Sequence, residues 1–517
     1  MKKIRMLDGL IYLALFIMFS AVLFCGKIEY ACKREFLMNN ITLLLFGMFV
    51  LIILCYFYIK RQRGSDDLKD NHKKSTFLFW IFICILQITF CFLLFFYTGW
   101  DAGGQVIPTA RNIALHLNEP IDQAYFSRYP NNTTLVLLYA FIIKIGVSIS
   151  PVFSGVSQSV FLLFSFQCIL SSLAGYLLSQ IVKDLTGSDS LKKIAILFYL
   201  ALVGFSPWLI VPYSDSTALI FPIAILRIFQ LLSNKKHSLI KVMAIAFLTF
   251  WGYKIKPQVA IITIAIVMVV CLEWIKSRKF GFNLDVIKKI VAVVGITAIS
   301  VFSYNTMIAL SPFQLNKDLE FGIPHFFMMG LNEEHNGVWC SEDVDFSASC
   351  INREVRNSEN IRVANERIKE YGATGMVNHL LKKTMTLYND STFAFGNEGN
   401  FYVAIAGWDN VIVNQLRRVF YDTGDLYIYS SSIRQLVWIF VLFAMLLSIE
   451  NKNDSLTKRV TLFAIAGITL FELLFEVRAR YLFIYVPIYI VMAAEGMQCI
   501  YNYVKEKINR GFVHENI

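Results

Sequence analysis

The sequence predicts an all-α, polytopic membrane protein of about 12 transmembrane helices with one long extracytoplasmic segment. Three observations lead there. Only 16% of its 517 residues are charged and 56% are hydrophobic, against roughly 25% and 45–50% in soluble domains. Apolar runs of membrane-spanning length recur along the whole chain. The net charge of +11 sits in short basic clusters between those runs, as in cytoplasmic loops, and not on one face or in one tail. Nucleic acid is therefore excluded as a partner, and membrane lipids are the expected surroundings.

The elements follow in order. Leu7–Cys25, behind Met1-Lys2-Lys3-Ile4-Arg5, reads as an uncleaved first helix, because the run is long and no small-residue cleavage site follows. Further spans are expected at Ile41–Ile59, Phe77–Thr98, Gly155–Ile181, Ile194–Pro212, Ser216–Leu232, Ile240–Tyr253, Gln258–Ile275, Ile290–Leu310, Gln435–Ile449, Val460–Phe475 and Tyr481–Ile500. The basic stretches Lys60–Lys74, Lys183–Lys193, Lys235–Lys241, Lys276–Lys289, Lys452–Arg459 and Lys505–Arg510 then share the cytoplasmic side with both termini. Their agreement requires Thr133–Ser150, apolar but carrying Lys144, to lie at the outer leaflet instead of crossing.

Four divisions result. Residues 1–76 hold two helices and a basic loop, and 77–310 form a membrane core whose first outer loop is 99–154. Residues 311–432 are extracytoplasmic, and 433–517 supply the last helices and a cytoplasmic tail in the plasma membrane. A structureless loop as long as Ser311–Ser432 would be unusual, so ordered helices are expected in it. Eight of the ten cysteines lie in or near apolar runs and read as small buried side chains. Cys340 and Cys350 stand in the polar segment, where a disulfide is open but undetermined by sequence.

On this register several charged stretches meet at the outer face. Asp101, in Thr98-Gly99-Trp100-Asp101, stands where a span meets water, a costly place for a carboxylate. It reads as a general base or as a cap for the helix that follows. Asp215 positions an acceptor or a bound ion, orders the Asp101 loop, or caps the helix from Ser216. Lys254 and Lys256 either meet a phosphate leaving group or snorkel to headgroups. Arg478 and Arg480, with Glu472 and Glu476, form a phosphate fork or an internal ion-pair network. His325, in Pro324-His325-Phe326, is either structural or a substrate contact, and Arg128, Tyr129 and Asn131 complete a polar-aromatic cluster.

No phosphate loop, HExxH motif or Cys/His ligand spacing is present, so no obligatory metal or cofactor is expected, although a divalent cation is compatible. No polar α/β domain exists for a nucleotide sugar, so an activated donor is expected to reach the site through the membrane. At Trp100-Asp101, Tyr129-Pro130-Asn131, Asp215 and Arg480-Tyr481 the sequence resembles the GT-C superfamily of polyprenyl-phosphate-sugar-dependent glycosyltransferases. That superfamily includes protein O-mannosyltransferases and aminoarabinose transferases. Gly330-Leu331-Asn332 and Asn389–Phe393 look like stretches of Gram-positive members.

The resemblance covers roughly Phe77–Ile500 and departs in two ways: two extra spans precede it, and Trp100-Asp101 lacks the adjacent acid of the mannosyltransferases. It implies a GT-C-like helical arrangement and an inverting transfer with Asp101 as base. Arg128, Tyr129, Asn131, Asp215, Lys254, Lys256, His325, Arg478, Arg480 and Tyr481 would contact substrate. The donor would be a polyprenyl-phosphate sugar and the acceptor a cell-envelope glycan or lipid-linked molecule, met on the extracytoplasmic face. Two rivals remain: a glycan polymerase or ligase using lipid-pyrophosphate oligosaccharides, and a lipid-linked-sugar flippase.

Overall fold

A computed structural model describes residues 2–62, 72–233, 236–277, 284–399, 401–405, 410–451 and 455–514. Parts of the basic stretches at 60–74, 235–241, 276–289 and 452–459 lie outside the described residues. The chain is an all-α polytopic membrane protein; among the described residues ten helices are long and apolar enough to cross a membrane.

The chain opens with α1 (Lys2–Phe24), α2 (Asn40–Gln62) and α3 (His72–Leu93), then α4 (Ile107–Leu115), α5 (Gln123–Arg128) and α6 (Asn131–Ile149). Then come α7 (Val156–Thr186), α8 (Asp189–Tyr199), α9 (Ser214–Ala218), α10 (Ile220–Gln230), α11 (Ser238–Ile255), α12 (Ala260–Ser277) and α13 (Leu284–Ala309). The polar segment folds as α14 (Ile323–Gly330), α15 (Ser341–Ser349), α16 (Arg353–Tyr388) and α17 (Val411–Phe420). The last helices are α18 (Tyr427–Leu447), α19 (Leu456–Leu474) and α20 (Val486–His514). Phe96–Tyr97 pairs antiparallel with Ala404–Ile405, tying the first loop to the polar segment.

Nine of the ten spanning candidates coincide with expected spans. The expected Ile194–Pro212 is instead broken: α8 ends at Tyr199, a π-turn covers Leu200–Gly204 and a 3-10 turn covers Pro207–Ile210. Pro207 has no N–H to continue a helix, and Ser206 caps the new turn through Trp208 N.

By length and composition α6 also qualifies as a span, yet both of its ends lie at one end of the bundle. Thr133 and Thr134 face the Tyr304 hydroxyl near the C-terminus of α13. Gly146 packs on Leu162, two turns into α7. Helices α3, α11 and α13 finish at that same end.

Helix contacts use small residues and buried polar groups, as membrane bundles do. A side chain at Gly496 would collide with the Ala444 backbone where α20 crosses α18. Gln87 of α3 bonds Ser171, Ser172 and the Gly204 carbonyl. Trp438, Tyr388 and Tyr489 lock α16 to α18 and α20.

The polar segment has its own small core of Met328, Leu331 and Ala364. The Asn389–Phe393 stretch is buried and hydrogen-bonded to its surroundings. Asn389 bonds Asn40 and Tyr30, and Trp208 donates to the Thr392 and Phe393 carbonyls. Cys340 and Cys350 are both free thiols.

Candidate functional site at one end of the bundle

Asp101 follows α3 and opens a π-turn over Ala102–Val106 without any side-chain capping bond. Its carboxylate is thereby left to neighbours across the loop. The Tyr213 hydroxyl donates to Oδ2 at 3.2 Å, and Tyr125 reaches it from α5. Burial pushes the Asp101 carboxyl above the ordinary carboxylate range, while Arg480 and the two tyrosine bonds oppose that shift.

Asp215 lies in the first turn of α9, not at its cap position, which Tyr213 occupies. It is 1% exposed. One oxygen takes Lys256 Nζ at 2.6 Å and the other takes an Arg480 terminal nitrogen at 2.9 Å. A buried carboxylate is tolerated there because two cations satisfy it.

Lys256 reaches this acid because it has left the helix. Residue Ile255 ends α11, and Lys256 is extended (φ −151°, ψ 114°), as a residue before proline prefers. Lys254 is still within the last helical turn, and its ammonium lies 3.9 Å from the centroid of the Tyr304 ring of α13. The two lysines, two residues apart, therefore serve different surroundings.

Arg480 is at the centre. It sits in the 3-10 turn Ala479–Tyr485, with Nε 2.8 Å from Glu398. Its guanidinium stacks within 6 Å of the Trp100, Tyr213 and Tyr481 rings, a favourable desolvated cation–π cage. Arg478, extended just before that turn, faces Glu398 and Glu476 at 3.8 and 3.6 Å. Tyr481 donates to Glu476 at 3.1 Å and lies under Lys256. Burial raises the Glu476 carboxyl, and Arg478 and Arg480 counter it.

The structure thus brings together Asp101, Asp215, Lys256, Arg478, Arg480 and Tyr481, with Tyr129 beside them through Tyr125 and Trp339. Arg128 faces Phe321 instead, and Asn131 bonds its neighbour Asn132. His325 is enclosed within the polar segment, bonded to Ser347 at 2.7 Å and packed at a tilt against the Phe321 ring. Burial holds its imidazole down at about 4, so it is neutral. The sequence reading did not single out Glu398, Tyr125 or Tyr213 as site residues. Tyr125 lies in the expected first outer loop and Tyr213 just beyond the expected Ile194–Pro212 span, whereas nothing in Gly396-Asn397-Glu398-Gly399 signals an acid aimed at two arginines.

Backbone bonds fix the arginine segment: Glu476 N donates to Phe326 O and Val477 N to Gly337 O. Lys383, fully buried, gives its ammonium to the carbonyls of Gly330, Leu473 and Phe475, three donors for three acceptors. A cavity of about 340 Å³ adjoins the Asp101 turn, bounded by Gly99, Gly103, Ile107, Arg111, Pro212 and Val403. The residues that line it are mostly apolar. Within the polar segment, His335, Cys340 and Glu342 group in a geometry that could hold a metal ion.

Fold and site together define a multi-pass helical membrane protein with a buried carboxylate–arginine cluster at one end of its bundle. The chain belongs to the family described as conserved hypothetical integral membrane protein, whose model matches residues 4–499. No curated protein matches it. Among solved structures it is similar to that of ArnT from Cupriavidus metallidurans bound to undecaprenyl phosphate. The two are 11% identical over 81% of this chain and 77% of that one, with a TM-score of 0.34.

Proposed function

We propose that the protein is an inverting membrane glycosyltransferase acting on the extracytoplasmic face. It moves a sugar from a polyprenyl-phosphate donor to a cell-envelope glycan or lipid-linked acceptor. The observation that carries this reading is the pairing, at one site, of an uncapped half-buried carboxylate, Asp101, with the Arg478–Arg480 cluster. Asp101 takes the proton from an acceptor hydroxyl as its oxygen attacks the anomeric carbon. The bond from that carbon to the phosphate oxygen breaks, and the departing lipid phosphate carries the negative charge.

Arg478 and Arg480 are the groups to meet that charge. Both already face Glu398, an acid on a turn of the polar segment, and a phosphate would replace that carboxylate as their anionic partner. Asp215 and Lys256 are buried beneath, and hold Arg480 in place. The apolar cavity beside the Asp101 turn offers room for the first prenyl units of the donor.

The test is direct transfer. Purified protein in lipid vesicles is given a polyprenyl-phosphate sugar labelled in the sugar, with cell-envelope glycans and glycolipids as acceptors. Label moving to an acceptor, with free polyprenyl phosphate released in equal amount, supports the reading. Movement of the lipid across the vesicle with the sugar still attached would instead assign a flippase.

A further inference from the structure

The polar segment carries a second constellation that the transfer reading does not use. Between α14 and α15 the chain turns back through two successive left-handed residues, Asn336 (φ 53°) and Gly337 (φ 75°). Gly337 N donates to Asn332 O and Val338 N to His335 O. The turn carries His335 against the start of α15, leaving His335 Nε2 3.6 Å from a Glu342 carboxylate oxygen. One ligand atom each from His335, Cys340 and Glu342 lie within 4.8 Å of one another.

The donor set is an imidazole nitrogen, a sulfur and a carboxylate oxygen, which suits zinc among the available divalent ions. Tetrahedral zinc sets its ligands about 3.3–3.8 Å apart, so groups within 4.8 Å of one another need to close by at most about 1.5 Å. The Cys340 thiol is buried, while His335 and Glu342 reach solvent and leave a path for the ion. Asn332 donates to Cys340 Sγ at 3.4 Å and to Asp343 at 3.2 Å, and Asp343 is gripped by Arg367. Outer contacts of this kind orient metal ligands. Between Asn332 and Asn352 the chain has five acids and no Lys or Arg, so the local field favours a cation.

We propose that His335, Cys340 and Glu342 bind a zinc ion, with water in the fourth position. On binding, the Cys340 S–H proton passes to solvent as the sulfur–zinc bond forms. The ion ties the 332–340 loop to α15. That loop in turn bonds Val477 N through Gly337 O and places Trp339 on Tyr129, so the metal braces the segment that carries Arg478 and Arg480. The proposal does not depend on glycosyl transfer, because metal binding is read without any activity.

The experiment uses full-length protein free of a histidine tag, in detergent, exposed to zinc or cobalt and then freed of unbound metal. One equivalent of metal per chain is expected. The cobalt form should show a thiolate charge-transfer band and the intense visible bands of a tetrahedral site. Cys340→Ser should abolish the charge-transfer band and weaken zinc binding about 100-fold or more, while Cys350→Ser changes neither. Should the Cys340 variant not fold, the cobalt spectrum of the unaltered protein decides alone. Folded protein that retains no metal, or a cobalt spectrum without the thiolate band, overturns the proposal. So does equal zinc binding by Cys340→Ser, or a disulfide between Cys340 and Cys350.

Discussion

Asp101 works under two opposed influences. Burial raises its carboxyl, and the Tyr213 and Tyr125 hydroxyls and Arg480 stabilise the carboxylate. If Asp101 is the base, transfer fails as pH falls through this raised value, so the acid limb of the rate profile lies above the ordinary aspartate range of about 3.9. Tyr213→Phe removes one bond that favours the carboxylate, and should move that limb to still higher pH; an unmoved limb would separate Tyr213 from the titration. The lysines make a second contrast. Lys256→Ala leaves Asp215 buried with one cation fewer and should cost about 3–5 kcal/mol. Lys254→Ala loses a ring contact worth about 0.5–1 kcal/mol. Thermal unfolding in detergent measures both, and equal losses would refute the division. Sequence pointed to Asp101, Asp215, Lys256, Arg478 and Arg480 because charge at a helix end beside lipid is costly and so stands out. It did not separate Lys254 from Lys256, since only the helix exit at Ile255 turns their side chains apart.

Among the elements, the turn joining α19 to the arginine segment is held by close packing. Gly330 lies against Phe475 so tightly that an added Cβ would come 2.4 Å from its carbonyl carbon. Gly330→Ala should therefore displace the segment through Arg480, costing about 1–3 kcal/mol and depressing transfer, and a variant of unchanged stability and rate would show the contact to be unimportant. The legibility of elements followed the same logic. Long apolar runs identified nine spans, because hydropathy alone decides them. The break within Ile194–Pro212 was hidden, since Pro207 and Ser206 sit inside an apolar run. Parity of the basic loops argued that Thr133–Ser150 stays at one leaflet, and the contacts of α6 with Tyr304 and Leu162 put both its ends at one end of the bundle.

The molecule as a whole is polarised along its helices. Asp101, Asp215, Arg478 and Arg480 gather at one end. The other end carries Arg459 with Asp8 and Glu273, and Arg227 with Asp184. On the proposed topology the first end faces outward, and single cysteines test this in a chain whose native cysteines are replaced. Glu119→Cys, in the first loop, should react with an impermeant maleimide on intact cells, whereas Ser188→Cys, between α7 and α8, should react only after permeabilisation. Labelling of both from one side would refute the topology. Composition made the membrane class plain, because a bilayer demands apolar runs that no soluble chain of this length shows. The polar segment was legible only as ordered, since its contacts with the bundle, such as Glu398 on Arg480, join residues 82 apart in sequence with no periodicity to reveal them.

One measurement bears most directly on the central claim. Asp101→Asn, reconstituted in vesicles, is assayed for transfer from a polyprenyl-phosphate sugar in parallel with binding of that donor. The account predicts transfer reduced by about two orders of magnitude or more with donor binding retained. Full transfer by the asparagine variant would contradict it, and would leave Asp101 as a loop residue held by Tyr213.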